Sequence, residues 1–415
     1  MMRRQLLVIL LLILAGAACA GRSNWDPLAE VPVRPELPDG YDPNDPYHLY
    51  NYGESQLATA PMRAAGAFYW ASRLDPLWAD PIYARRIALF MASPRIFADY
   101  IFDRRRVDHV PGVQRLDSLY HRALSLNPFL VRRHDVLAIK RTMEWQIEEA
   151  IRRQNPTATI DRNAITYALH HELQRAPDAV RAWIAESEGR LGDALELYTR
   201  AVERDEDDPE LRTGLARIQF RMGRFDEARE SFGAALELLR EKDEEELVRL
   251  YESKVLLEHS IGLILEQQGD VEGARNAYGR ALQEDLSYAP SHVRLAELAL
   301  AGGDTAAALG EFALAVEAAP GSGGLRYQHG SLLARAGQLE AAERELRRAI
   351  ELEPHFAAPY RVLGAVLERM GRRAEAVQQY REYLDRSSRS SPDRSRVEQR
   401  LTALAAGGGE SEGPR

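Results

Sequence analysis

The sequence predicts an all-α array of antiparallel helix pairs, and three recurrences carry that prediction. Gly189, Gly223, Gly269, Gly303, Gly337 and Gly371 follow one another at intervals of 34, 46, 34, 34 and 34 residues. Five residues after each glycine stands an alanine (Ala194, Ala228, Ala274, Ala308, Ala342, Ala376). Four further on stands a large side chain (Tyr198, Phe232, Tyr278, Phe312, Leu346, Tyr380). Seven residues before each glycine is a small one: Ala182, Ala216, Gly262, Ala296, Gly330 and Gly364. A period of this length means one helix pair per repeat, stacked on its neighbours.

The chain opens with Arg3 and Arg4, then an apolar run from Leu6 to Ala18. That run of about 13 residues is short for a helix crossing roughly 30 Å of hydrocarbon, so residues 1–18 read as a signal peptide. Gly16-Ala17-Ala18 precedes Cys19, the single cysteine, so neither an intramolecular disulfide nor a cysteine-rich zinc site is available. The run ending in small residues and a cysteine resembles the lipobox of bacterial lipoproteins. That resemblance implies acyl chains (palmitate and its like) on Cys19 as the mature N-terminus. With Ala20 rather than aspartate after the cysteine, it implies an outer-membrane location facing the periplasm. An ordinary cut after Ala18-Cys19-Ala20, giving a soluble periplasmic or secreted protein, and an uncleaved anchor stay open.

Residues 19–44 carry Pro27, Pro32, Pro35, Pro38 and Pro43 and no helical periodicity. Proline fixes φ and removes a donor, so this stretch is expected to be an extended tether reaching on the order of 75 Å. Packing along the first helices as a strap, with Trp25 as its anchor, is the alternative.

Residues 45–174 repeat the helix-pair offsets faintly, at Ala64, Phe68, Ala71 and Pro76 and again at Leu116, Tyr120, Ala123 and Pro128, without the turn glycine. An insertion at 93–112 holds Phe97, Tyr100 and Phe102 followed by Arg104-Arg105-Arg106. It is expected to be a surface loop with tucked aromatics. The six regular pairs fill 175–390, interrupted by an insertion at 241–254 with the acidic tip Asp243 to Glu246. Ser391-Pro392 reads as a helix start. A capping helix over 391–406 is expected to cover the open end, and 407–415 is expected to be a disordered polar tail. Eight or nine pairs are expected in all.

Each residue type has a physical reason. Glycine tolerates φ > 0 and ends the first helix of a pair. The small residues let the two helices approach, and the large one fills the space toward the next pair. This pattern resembles the tetratricopeptide repeat closely over about half the chain. The resemblance implies a right-handed helical solenoid whose first helices line a concave, partner-binding face. Such arrays are nearly one-dimensional, each pair touching only its neighbours.

Hydrophobic residues are 45% and charged residues 28% of the chain, enough to bury a core. A net charge of -9 argues against a nucleic-acid binder driven by overall charge. No phosphate loop, dinucleotide fingerprint or nucleophile elbow is present, so no enzyme, cofactor or small-molecule substrate is expected. His170 and His171 are adjacent and do not make an i, i+4 metal pair. The acidic run Asp205 to Asp208 lacks calcium-loop spacing, so no metal is expected. An enzyme site within 45–174 is the minority reading and needs polar groups converging there.

The partner-binding candidates are Trp183, Arg217, Phe220, Arg221, Tyr327 and Arg361, projected onto the first helices with His259, Glu266, Arg335 and Glu368 beside them. Aromatic anchors flanked by arginine forks suit an amphipathic helix or extended segment with acidic side chains. Relatives that grip chaperone tails use a lysine and an asparagine four residues apart. Here Ala179 with Trp183, Thr213 with Arg217 and Arg361 with Ala365 stand there instead, so that clamp is absent. The expected function is a membrane-tethered scaffold of the bacterial cell envelope that binds other envelope proteins or their peptide segments.

Overall fold

The computed structural model describes residues 24–241 and 253–406. The expected signal peptide, Cys19, most of the acidic insertion and the tail from 407 lie outside those residues. The described residues form twenty α-helices, one 3-10 turn and no strand. The helices are α1 (Pro46–Leu57), α2 (Pro61–Leu74), α3 (Ala79–Met91), α4 (Pro94–Phe102), α5 (Pro111–Leu126), α6 (Asp135–Gln154) and α7 (Arg162–Leu173). The regular pairs follow. They are α8 (Asp178–Ser187) with α9 (Leu191–Arg204), α10 (Pro209–Arg221) with α11 (Phe225–Glu241), and α12 (Lys254–Gln267) with α13 (Val271–Glu284). Next come α14 (Ala289–Ala301) with α15 (Thr305–Ala318), α16 (Gly323–Arg335) with α17 (Leu339–Leu352), and α18 (Ala357–Arg369) with α19 (Arg373–Arg386). The capping helix α20 (Arg394–Ala406) closes the series. The fold class is the expected one, a helical solenoid of antiparallel pairs.

The turn chemistry repeats six times. Each turn glycine takes a φ between +75° and +83°. The amide that follows it donates five residues back, from Arg190 to the Ala185 carbonyl at 2.8 Å and from Arg372 to the Leu367 carbonyl at 2.8 Å, with four equivalents between. This 6→1 bond satisfies carbonyls that the helix end would otherwise orphan. The first helix of three pairs starts on a side-chain cap, as where Asp208 accepts from the amides of Glu210 and Leu211 and Pro209 occupies the first turn.

The large residue lies over the small one of its own pair. A Cβ added to Gly262 falls 2.4 Å from the Tyr278 ring, and one added to Gly364 falls 2.6 Å from the Tyr380 ring. Tyr198 also fills the space toward the next pair, where a Cβ on Gly214 falls 2.5 Å from its ring. The ring therefore locks its own crossing as well as the one expected of it.

The chain divides into two compact units. Of the described residues, the first comprises 24–33, 55–66 and 82–241. Its proline-rich start is extended but not free: the Gly112 amide donates to the Trp25 carbonyl at 3.0 Å, and Arg115 pairs with Asp26 at 2.5 Å. The insertion at 93–112 is a short helix, α4, and an arginine-rich 3-10 turn rather than a loop. Its apolar residues at helical spacing bury Phe97 against Phe90, with centroids 4.7 Å apart.

The second unit comprises, of the described residues, 34–54, 67–81 and 253–406. Here early segments return to the last repeats, which a strictly one-dimensional array does not do. Buried Asp42 accepts the Arg389 amide at 2.6 Å and the Ser388 hydroxyl at 3.2 Å. Asn44 donates to the Asp385 carbonyl at 2.9 Å. Arg73 pairs with Glu353 at 2.8 Å, and Trp70 meets His355 edge-on at 4.9 Å. Leu77 fills the space above Gly324. The three contact points fall at successive inter-pair loops, so the early segment clasps one edge of the last pairs.

Candidate functional site

Helix α8 carries Trp183 and, three residues on, Glu186; α10 carries Arg217 and, three residues on, Phe220. Trp183 and Arg217 hold the same repeat position, six before the turn glycine, and Glu186 and Phe220 hold the position three before it. All of these residues, with Arg221, lie in the first unit, and two of the four, Arg217 and Phe220, are already engaged there.

Arg217 does not face a hollow. It is 5% exposed, and its guanidinium donates to both Glu186 oxygens, at 3.2 and 3.4 Å. The Tyr198 hydroxyl donates to the same carboxylate at 2.9 Å. Burial alone would raise the Glu186 pKa, but Arg217, with Arg132 and Tyr198, outweighs it and holds the carboxyl below the ordinary glutamate value. The physical reason is simple: a buried acid at this position requires a cation, and Arg217 on the next first helix hydrogen-bonds it.

Phe220 is covered as well. Phe129, from the loop joining α5 to α6, stacks on it with ring centroids 3.6 Å apart and planes within 11°. Trp183 and Arg221 are half-buried. Arg221 Nη1 is enclosed without a hydrogen-bond partner. Burial lowers the Arg221 pKa, opposed by Glu186 and reinforced by Arg217 and Arg133. This face thus holds an aromatic and a cation whose hydrogen-bonding capacity is not used up.

In the second unit, Tyr327 meets Phe356 edge-on at 5.0 Å and Arg361 pairs with Asp393 at the start of the cap at 3.2 Å. Glu266 accepts from Tyr278 and pairs with Arg294, and Glu368 accepts from Tyr380 and pairs with Arg400. Arg335 is exposed. His259 is buried, its Nδ1 hydrogen-bonded with the Ser291 hydroxyl at 3.0 Å. Burial, then Arg294, pushes its pKa down to about 3, so it is a neutral core histidine.

Two elements of this arrangement escaped sequence reasoning. Phe129 gave no signal. Glu186 did: a glutamate three before the turn glycine accompanies a tyrosine nine after it in three pairs, at Glu186/Tyr198, Glu266/Tyr278 and Glu368/Tyr380. Where the large residue is Phe or Leu, the earlier position holds Phe220, Leu300 or Ala334.

Polar groups do converge in the divergent region. Arg86 donates to the Tyr100 hydroxyl at 2.9 Å, which donates to Asp117 at 2.8 Å, and Arg104 pairs with Asp117 at 2.7 Å. Tyr83 donates to Asp135 beside them. Burial raises the Asp117 and Asp135 pKa values against the pull of the arginines. These groups bond one another inside the packing of α3 to α6. A cleft of about 720 Å³ lies elsewhere, lined by Lys140, His170, Arg181, Glu188, Arg190 and Arg200 among others. Its charges are paired across it, as in Lys140–Glu188 at 3.7 Å and Arg190–Glu188 at 2.8 Å. Among the described residues no group of three or more His, Cys, Asp or Glu side chains is placed to hold a metal ion.

Family models of the tetratricopeptide repeat match residues 185–250, 260–323 and 327–392. The geometry and these matches together show that the matched residues are tetratricopeptide repeats. Among solved structures it is similar to YrrB, described as a tetratricopeptide-repeat protein with an unusual peptide-binding site. That match is 19% identical, covers 50% of this chain and 100% of the other, and has a TM-score of 0.38. It is also similar to MamA of Desulfovibrio magneticus RS-1, at 18% identity over 43% of this chain and 93% of the other with a TM-score of 0.35. A third is the C-terminal part of a repeat protein from Cytophaga hutchinsonii, at 13% identity over 49% and 77% with a TM-score of 0.41. A search of curated proteins found no match.

Proposed function

We propose that this protein is a membrane-tethered interaction scaffold of the bacterial cell envelope, acylated at Cys19 and holding partner proteins on the first helices of its repeats. The observation that carries the binding half is the face formed by Trp183, Arg221 and the Phe129–Phe220 stack. Half-buried aromatic side chains and a half-buried guanidinium on α8 and α10 have the composition of a binding hot spot. An acidic segment of a partner would meet the accessible part of the half-buried Arg221 side chain, its enclosed Nη1 being out of a partner's reach. Arg217 belongs to the support of this face, since Glu186 already occupies it.

The tethering half rests on the apolar run and small residues before the single thiol. The competing soluble adaptor differs in one respect, the absence of lipid. Expressing Cys19→Ser beside the parent in the presence of labelled fatty acid separates the two. Loss of label together with release from the membrane fraction supports the tether, and a membrane-bound, labelled variant contradicts it.

A further inference from the structure

The first described residues are fastened to the first unit. The Trp25 carbonyl accepts the Gly112 amide, and a Cβ added to Gly112 would lie 2.4 Å from that oxygen and 2.8 Å from the indole ring. Only glycine leaves that room. Arg115, three residues along α5, pairs with Asp26 and donates to the Leu28 carbonyl at 3.1 Å. Farther on, the Pro32 ring would stand 3.5 Å from a Cβ at Gly66 on α2. On either side of Pro32 the strap turns apolar side chains outward: Val31 is 69% exposed and Val33 90%. Met62, one turn before Gly66, is 59% exposed.

Six residue steps separate Cys19 from Trp25, and a chain spans at most about 3.6 Å per residue, so the fastening lies within about 20 Å of the cysteine. A free tether to residue 44 would allow several times that distance. We infer that the strap is the face this protein presents to a bilayer, with Val31, Val33 and Met62 resting in the headgroup interface. The inference rests on acylation at Cys19. The occupant is a lipid surface because the chain itself leads there: an anchor this short brings the nearest exposed apolar side chains to the headgroups. Acyl chains and a second interfacial contact together hold a protein more firmly than either alone.

The test couples a chain beginning at Cys19, through its single thiol, to maleimide-bearing lipid in phosphatidylethanolamine–phosphatidylglycerol vesicles. This places the anchor without relying on the cell. A donor dye on an azido residue at exposed His109 reads energy transfer to headgroup acceptors, and an environment-sensitive dye at Val33 reads contact. Strong transfer and a blue shift at residue 33 are expected on coupling. Transfer is expected to fall several-fold in a matched chain with twelve Gly/Ser residues inserted after Ser23 and with Val31→Asp and Val33→Asp. Weak transfer in the unmodified coupled chain, or no blue shift, overturns the inference. Mass spectrometry of the native N-terminus separates the two failures. An unacylated Cys19 removes the anchoring reading and this inference with it, whereas an acylated Cys19 with weak transfer overturns the strap alone.

Discussion

Tyr278 donates its hydroxyl to the Glu266 carboxylate at 2.6 Å while its ring lies over Gly262, so one side chain closes the helix crossing and satisfies a half-buried acid. Tyr278→Phe is expected to cost about 1–2 kcal/mol, because Arg294 still holds Glu266. Gly262→Val is expected to cost at least about 1–3 kcal/mol through overpacking against the ring. Phe232→Tyr is expected to destabilise as well, since its repeat carries Phe220 where an acceptor is needed. Urea denaturation of the three variants reads all of this, and a neutral Gly262→Val contradicts the packing.

The Glu186–Arg217 pair gives a second expectation. Arg217→Met strips a buried carboxylate of its hydrogen-bonded cation, leaving Tyr198 as donor, and is expected to cost about 3 kcal/mol at pH 7. The sign with pH is defined. The folded Glu186 pKa is depressed, so the pair stabilises above the ordinary glutamate value, and that contribution fades as pH falls through the folded pKa. In the variant, burial dominates and raises the carboxyl, so the stability gap between parent and variant is expected to narrow on acidification. Urea midpoints at pH 7 and pH 4 check it.

These pairs also show what was legible in the sequence. The six regular repeats were readable because each turn needs glycine at positive φ and each crossing needs a small residue under a large one, which are local demands with a fixed period. Helical projection turned Arg217 and Phe220 toward a hollow, where the structure buries the first and covers the second. That occupancy was not readable, because Glu186 and Phe129 reach these side chains through tertiary packing. The tyrosine–glutamate coupling was written in the sequence at constant spacing and marks where the first helices carry a buried acid. The clasp of Asp42 on Arg389 spans 347 residues, and no periodic pattern encodes such a return.

That clasp is expected to matter at a distance in sequence. Asp42 is buried, and although burial favours its protonated form, the bonds from Arg389, Asn44 and Ser388 hold its pKa below the ordinary value. Asp42→Ala is expected to speed amide hydrogen exchange across 385–391 at neutral pH. The parent is expected to approach the variant's rate as pH falls through the folded Asp42 value, after allowance for intrinsic exchange. Unchanged protection at 385–391 contradicts the clasp.

His259 supplies a third pH response. Its folded pKa of about 3 lies below the ordinary histidine value, so the unfolded chain binds the extra proton between them. Stability of the second unit is therefore expected to decline as pH drops from about 6.5 toward 3. His259→Gln is expected to flatten that decline relative to the parent. Melting scans from pH 7 to pH 4 test it, and parallel profiles for parent and variant contradict a neutral, buried imidazole.

The most direct test of the scaffold is photo-crosslinking in intact envelopes, with a photoreactive residue placed in turn at Trp183, at Arg221 and at exposed Arg229 on α11. The expected result is one common adduct from positions 183 and 221, absent at 229 and diminished by Cys19→Ser. Adducts confined to 229, or none at 183 and 221 in a folded, membrane-bound protein, would contradict partner capture on this face.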